Sequence, residues 1–135
     1  MSLTVATWNI NSVRLRIANV ERYLRLRKPE VLCLQETKCP DEHFPHMAFE
    51  ALGYKHRLVQ GMKAYNGVAI LSKVPFTATT IHHRCGKEDC RHIEAALDLG
   101  GDPILLDNLY IPAGGDIPDP AENAKFAHKL DFYRE

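Results

Sequence analysis

Three side chains able to do chemistry stand where apolar runs stop. Asn9 ends "TVATWN", Glu36 follows "EVLCLQ", and Tyr110 lies near the end of "PILLDNLYI". A second amide, Asn11, sits two residues beyond the first, and Lys38 stands in the same relation to Glu36. Ligands of α/β proteins gather beyond the carboxyl ends of strands. One carboxylate plus one neutral amide is a sparse oxygen site. Such a site suits Mg²⁺, which takes few protein ligands and fills its shell with water and substrate phosphate. Arg14 and Arg16 lie just downstream, and guanidinium groups pair well with phosphate esters. The chemistry indicated is metal-assisted phosphoryl transfer. A plain structural reading stands beside it. A Glu after a strand is commonly just solvated, and Asn9 can serve as a helix cap. Arginines on a helix commonly form a wet face, and Tyr110 can be a core residue with its hydroxyl at the surface.

The elements that must hold these residues are legible in outline. Leu3–Trp8 carries Val, Thr and Trp and reads as a strand. Ser12 is an N-cap candidate for a following helix. Val13, Ile17, Val20 and Leu24 then form one apolar stripe, and Pro29 stops the helix. "EVLCLQ" has consecutive apolar residues, the pattern of a strand covered on both faces. Strand, helix and strand in this span make a βαβ unit, so the two strands should be parallel, with Asn9 and Glu36 at one sheet edge. "PDEHFPHMAFEALG" reads as a short helix stopped by Gly53. Tyr54–Val59, Gly67–Ser72, Phe76–His82, "RHIEAALDL" and "PILLDNLYI" read as strands. "PAGGDIPDP" is an irregular loop. "ENAKFAHKLDFYRE" reads as a helix with Phe126, Leu130 and Tyr133 on one face.

Composition narrows the class. A chain of 135 residues with 45% apolar and 25% charged residues has the make-up of one soluble globular domain. Seventeen basic residues balance seventeen acidic ones, so net charge does not announce a nucleic-acid partner. The distribution is less even: Arg14, Arg16, Arg22, Arg25, Arg27 and Lys28 crowd one stretch, of which Arg22 and Arg25 are expected to be surface charge. No basic-then-apolar leader and no run long enough to span a bilayer is visible, so the expectation is a cytoplasmic protein without membrane association. Four cysteines without an export signal are expected to be reduced thiols.

"ATWNINSVRLR", "LQETKCPDEHFP", "YNGVAILSK" and "LYIPAGG" occur in that order. Together they resemble the exonuclease III branch of the AP endonuclease family, within the endonuclease/exonuclease/phosphatase superfamily. Superfamily relatives also hydrolyse inositol phosphates or sphingolipids; "LQETK" and "YIPAGG" favour the DNA branch. The resemblance covers nearly all of the chain but about the first half of a family member. It implies an α/β fold, half of a four-layer α/β/β/α sandwich, supplied as one mixed sheet with helices on its outer face. Residues 1–135 would be the N-terminal part of such a domain, incomplete at the C-terminus. An inner sheet face without its partner would then favour self-association or a complementary chain.

The resemblance also implies roles. Glu36 matches the Mg²⁺-ligand glutamate, with Mn²⁺ able to substitute. Asn9 matches the strand-end asparagine at metal and phosphate. Tyr110 matches the active-site tyrosine on the scissile phosphate. Asn11 falls where some relatives carry an acidic metal-site residue and would act in the outer shell. Lys38, Tyr65, Asn66 and Arg91 are DNA-contact candidates. The implied reaction is hydrolysis of a DNA phosphodiester in base excision repair, 5′ to an abasic site or from a 3′ end of double-stranded DNA. The family's base, its second asparagine and its aspartate–histidine pair come from "GDxN" and "SDH" segments. Neither string occurs here. The rival expectation is therefore a catalytically incomplete piece that binds DNA, another copy or a missing C-terminal half without turnover.

A separate constellation is "HHRCGKEDCRH". If "GKED" is a hairpin turn, His83 opposes His92 and Cys85 opposes Cys90, and alternation puts all four on one face. Two thiolates and two imidazoles make a tetrahedral zinc set. The alternative is a hairpin with reduced cysteines and wet histidines.

Overall fold

The computed structural model describes residues 2–135. Its elements in chain order are β1 (Val5–Asn9), α1 (Ile17–Arg27), β2 (Val31–Gln35), α2 (His46–Ala51), β3 (His56–Gln60), β4 (Val68–Ser72), β5 (Phe76–His82), β6 (His92–Leu97), β7 (Ile104–Leu109) and α3 (Ala124–Arg134). Two sheets form, a four-stranded one ordered β1-β2-β4-β3 and a three-stranded one ordered β5-β6-β7. β1 and β2 are parallel and register Asn9 against Gln35, so Glu36 follows at the edge where Asn9 ends. The remaining pairings are antiparallel, which makes the first sheet mixed.

Alternation along β2 and β4 separates two cores. Leu32, Leu34, Ala69 and Leu71 pack with Val13, Val20, Leu24 and Phe49, under the helices. Val31, Cys33, Val68 and Ile70 face the other way and pack with Ile93, Ala95 and Leu97 of β6. Consecutive apolar residues in β2 thus have apolar cover on both faces, as the "EVLCLQ" pattern predicts. Fully burying each such side chain contributes roughly 1.5–3 kcal/mol.

The mixed sheet with helices on its outer face is as the resemblance implies. A single-sheet reading leaves out the rest: β5–β7 form a second sheet on the inner face. That sheet covers the inner face over β2 and β4, while Val5, Thr7 and Asn9 of β1 and Ile104 of β7 stay exposed, so the inner face is open only along its β1 side. The reason is patterning in β6, where Ile93, Ala95 and Leu97 alternate with His92, Glu94 and Ala96 and present one apolar side.

Some local expectations move. α1 begins at Ile17 with Arg16 in the cap position, not at Ser12. Asn11 and Ser12 both take positive φ, and the Ser12 hydroxyl accepts from the Leu15 N–H at 3.3 Å, so 12–16 is a turn rather than helix. Val13 is still buried from that turn. Arg22 and Arg25 are exposed, as expected. The short-helix segment divides into a 3₁₀ turn at Asp41–His43 and α2, with Gly53 at φ 92° beyond it. In α3 the buried aromatic is Phe132, while Tyr133 is 60% exposed. Arg84 sits over the Phe132 ring at 5.0 Å and fixes that helix phase.

Candidate active site

Five loops converge beyond the strand ends, joined through main-chain hydrogen bonds. Ile10 N–H donates to the Gln35 carbonyl (2.9 Å), Ser12 to that of Glu36 (2.8 Å) and Val13 to that of Thr37 (3.1 Å). Thr37 and Lys38 donate in turn to Gly67 (3.2 Å) and Asn66 (2.9 Å). Gly67 N–H reaches the Cys90 carbonyl (3.2 Å), and Tyr110 N–H reaches that of Arg91 (2.7 Å). Residues 10–13, 36–38, 66–67, 90–91 and 110 are thereby held together by peptide groups. The lacing requires unusual backbone: Asn11, Ser12, Glu36, Lys38 and Asn66 all have positive φ. Non-glycine residues in that region cost energy and cluster at functional sites. Gly67, at φ 98°, could not be replaced freely, because a Cβ there would meet Thr37 Oγ1 at 2.0 Å.

On this frame the Tyr110 hydroxyl donates to Glu36 Oε1 at 2.6 Å. That hydrogen bond is the chief cause holding the Glu36 carboxyl below the usual carboxylate range; partial burial opposes it, and the Asn9 amide and Lys38 ammonium add to it. The Tyr110 phenol is pushed up, first by burial and then by Glu36, so it remains a donor at neutral pH. Lys38 Nζ stands 3.8 Å from Glu36 Oε2 and donates to Asn11 Oδ1 at 2.6 Å. Asn11 thus touches the site through Lys38, an outer position. The Arg91 guanidinium lies 4.9 Å from the Tyr110 ring centre, donates to the Tyr110 carbonyl at 3.2 Å and pairs with Asp89 at 2.7 Å. Asn66 Nδ2 donates to the Asp89 carbonyl at 2.8 Å, and Tyr65 beside it is 69% exposed. The fold therefore gathers Asn9, Asn11, Glu36, Lys38 and Tyr110 into one cluster, with Arg91 behind Tyr110 and Tyr65 and Asn66 on the adjoining loop.

The donor set fits a hard divalent cation. Glu36 is ionised at neutral pH, and Oε2 is left free of the Tyr110 hydroxyl. Asn9 adds a neutral amide, and the exposed rim leaves room for water and phosphate oxygens. Among the described residues, the side chains acting on Glu36 are an amide, an ammonium and a phenol, none of which is a general base.

Sequence reasoning missed the polar bridge beneath the site. Asn108, 2% exposed between the two sheets, donates through Nδ2 to the Leu34 carbonyl (2.9 Å) and the Ala69 carbonyl (2.8 Å). Its Oδ1 accepts from Gln35 Nε2 at 2.7 Å, and Gln35 donates on to Thr7 Oγ1 at 2.9 Å. The bridge couples the strand before Glu36 to the strand before Tyr110. The available signal was a lone amide inside an apolar run, "ILLDNLY".

The zinc set His83, Cys85, Cys90 and His92 is not assembled. The hairpin registers His82, not His83, against His92. A 3₁₀ turn at Arg84–Gly86 and left-handed conformations at Cys85 and Cys90 break the alternation that the set required. All four cysteines are free thiols.

Known proteins share this fold. Residues 6–135 match the model of the Endonuclease/Exonuclease/phosphatase family. The chain is 34% identical over 131 residues to exodeoxyribonuclease III of Haemophilus influenzae, covering 96% of this chain and 48% of that protein. An AP endonuclease from Archaeoglobus fulgidus superposes with a TM-score of 0.86 at 34% identity, over 98% of this chain and 49% of that one. The 3′ phosphatase NExo from Neisseria, bound to a product DNA hairpin, superposes with a TM-score of 0.85 at 29% identity over similar shares. The chain spans about half the length of the relatives it matches. It belongs to the Endonuclease/Exonuclease/phosphatase family, with the α/β layering of the AP endonucleases.

Proposed function

We propose that the chain carries the metal-binding side of a DNA-repair nuclease site of the exodeoxyribonuclease III and AP endonuclease type. The observation that carries this reading is the Tyr110–Glu36 hydrogen bond, formed between the ends of two different sheets at the rim where Asn9 and Lys38 also stand. Glu36 and Asn9 would hold Mg²⁺, or Mn²⁺ in its place. A bound divalent cation supplies charge neutralisation at a non-bridging phosphate oxygen and at the departing alkoxide. On substrate binding the Tyr110 hydroxyl would turn its one proton from Glu36 Oε1 to a phosphate oxygen, a role its raised pKa preserves at neutral pH. Lys38 and Arg91 contact backbone phosphates, while Tyr65 and Asn66 border the duplex. The substrate in this reading is double-stranded DNA with an abasic site or a 3′ end. Each phosphate contact steepens the salt dependence of binding, with a slope of about 0.9 per contact.

A second reading is favoured by the lack of a general base around Glu36 among the described residues. In it the same site binds metal and DNA, and turnover waits on groups from another chain or copy. One experiment addresses both. Incision of an abasic duplex and DNA binding are measured with Mg²⁺ and with chelator, for the chain and for Glu36→Gln. Mg²⁺-dependent incision lost in the variant supports the nuclease. Mg²⁺-sensitive binding without incision supports the incomplete site. Binding unaffected by chelator and by Glu36→Gln, with no incision, refutes both.

A further inference from the structure

The histidine-rich hairpin that failed as a thiolate site builds a different one. The face of β5–β7 turned away from the inter-sheet core carries two adjacent rungs. One pairs His82 with His92, and the next pairs Glu94 with Asp107. His92 Nε2 and Asp107 Oδ1 are 2.6 Å apart, and the His82 and His92 ring centres are 4.2 Å apart. Ligand-capable atoms of His82, His92 and Asp107 all lie within 4.8 Å of one another. Among the described residues this is the one group of three or more such side chains so arranged. Glu94 Oε1 stands 4.0 Å from His82 Nε2.

A second observation points to a ligand. His82 Nε2 is shielded from solvent and has no hydrogen-bond partner. A buried imidazole nitrogen left unpaired is costly, and each such group calls for an explanation. A cation bound between His82, His92 and Asp107 supplies that partner.

We propose that His82, His92 and Asp107 form a transition-metal site, selective for Zn²⁺ and similar ions over Mg²⁺, separate from the Glu36 cluster. Two imidazoles and one carboxylate are donors that favour zinc over Mg²⁺. Water or the Glu94 carboxylate completes a tetrahedral shell. The metal-free arrangement is defined by Arg84, whose Nε donates to His92 Nδ1 at 3.0 Å. His92 therefore carries its proton on Nε2 and donates it to Asp107. Binding moves the ring proton to Nδ1 and presents the Nε2 lone pair. Arg84 releases His92 and keeps its 3.1 Å contact with the Phe132 carbonyl of α3. Asp107 Oδ1 and His92 Nε2 separate as the ion enters, and the half-exposed His82 ring on edge strand β5 turns toward it.

The test is zinc titration of chelator-treated protein in competition with a chromophoric chelator, with circular dichroism confirming the fold. About one equivalent is expected for the parent chain, for Glu36→Gln and for the Cys85→Ser/Cys90→Ser pair. His82→Ala and Asp107→Asn should each weaken binding at least about tenfold, the lower end of what loss of an outer-shell partner alone costs. An Arg84→Met variant, which has no donor for Nδ1, should bind at least as tightly as the parent; a folded variant that binds zinc more weakly overturns the proposed release of His92. Zinc retained by His82→Ala and Asp107→Asn, zinc lost in the cysteine variant, or folded parent protein without zinc each overturns the proposal.

Discussion

Asn108 offers a sharp test of how the two sheets are joined. Its three hydrogen bonds, at 2.9, 2.8 and 2.7 Å, are made 2% exposed between the strands that lead to Glu36 and Tyr110. A typical buried hydrogen bond contributes about 1 kcal/mol net, and truncation leaves its former partners desolvated. Gln35 retains Thr7 Oγ1 as an acceptor, so the main loss falls on the Leu34 and Ala69 carbonyls. Asn108→Ala should therefore cost about 2–4 kcal/mol. Asn108→Asp preserves shape but aims an acceptor at two carbonyl oxygens and buries a charge, so it should cost more than the alanine. Its deficit should shrink as pH falls, because the protonated acid can donate again. Urea unfolding at constant m reads both values from the midpoints. An alanine variant within about 1 kcal/mol of the parent, or an aspartate variant no worse than the alanine, would show that packing rather than this bridge couples the sheets.

Other outcomes follow from the same contacts. Tyr110→Phe removes the main cause of the low Glu36 pKa, so the Glu36 carboxyl should titrate at higher pH in a ¹³C NMR titration. A depressed folded-state carboxyl stabilises the fold above its unfolded pKa and loses that effect as pH falls through the folded value; the variant should have less of this stabilisation at neutral pH and should have lost all of it at a higher pH than the parent. An unchanged titration would remove Tyr110 as the cause. Gly67→Ala should cost about 2–3 kcal/mol or more, from positive φ and the 2.0 Å approach to Thr37 Oγ1, read by thermal or urea unfolding. Alkylation at pH 8 followed by mass spectrometry should mark half-exposed Cys85 first and Cys33 last, since burial pushes the Cys33 thiol up to about 12. Equal labelling of the two would contradict the burial assigned to β2.

What could be read from the sequence was local. Apolar runs ended by Asn9, Glu36 and Tyr110 disclosed strand ends, and the Val13–Leu24 stripe disclosed the buried side of the first helix. Side chains that meet by register or across sheets were not legible. Asn108 looks like one polar residue in an apolar run until β2 and β4 are laid across it. The pairing of His92 with His82 depends on a 3₁₀ turn and on left-handed Cys85 and Cys90, which spacing alone does not disclose. The start of α1 shifted for a similar reason, because positive φ at Asn11 and Ser12 spends that stretch on the turn joining strand to site.

The lacing of loops by peptide groups sets what can vary around the cluster. Main-chain donors and acceptors are the same in every residue but proline, so side chains on these loops can change without loosening the frame. The real constraint is the sign of φ at a handful of positions. A library that randomises loop side chains while keeping Glu36, Lys38 and Gly67, admitting Asn, Asp or Gly at positions 11, 12 and 66 and excluding proline at the donating amides should retain the site's shape across many sequences. The frame is thus a reusable scaffold, on which substrate preference can be rewritten without refolding the protein.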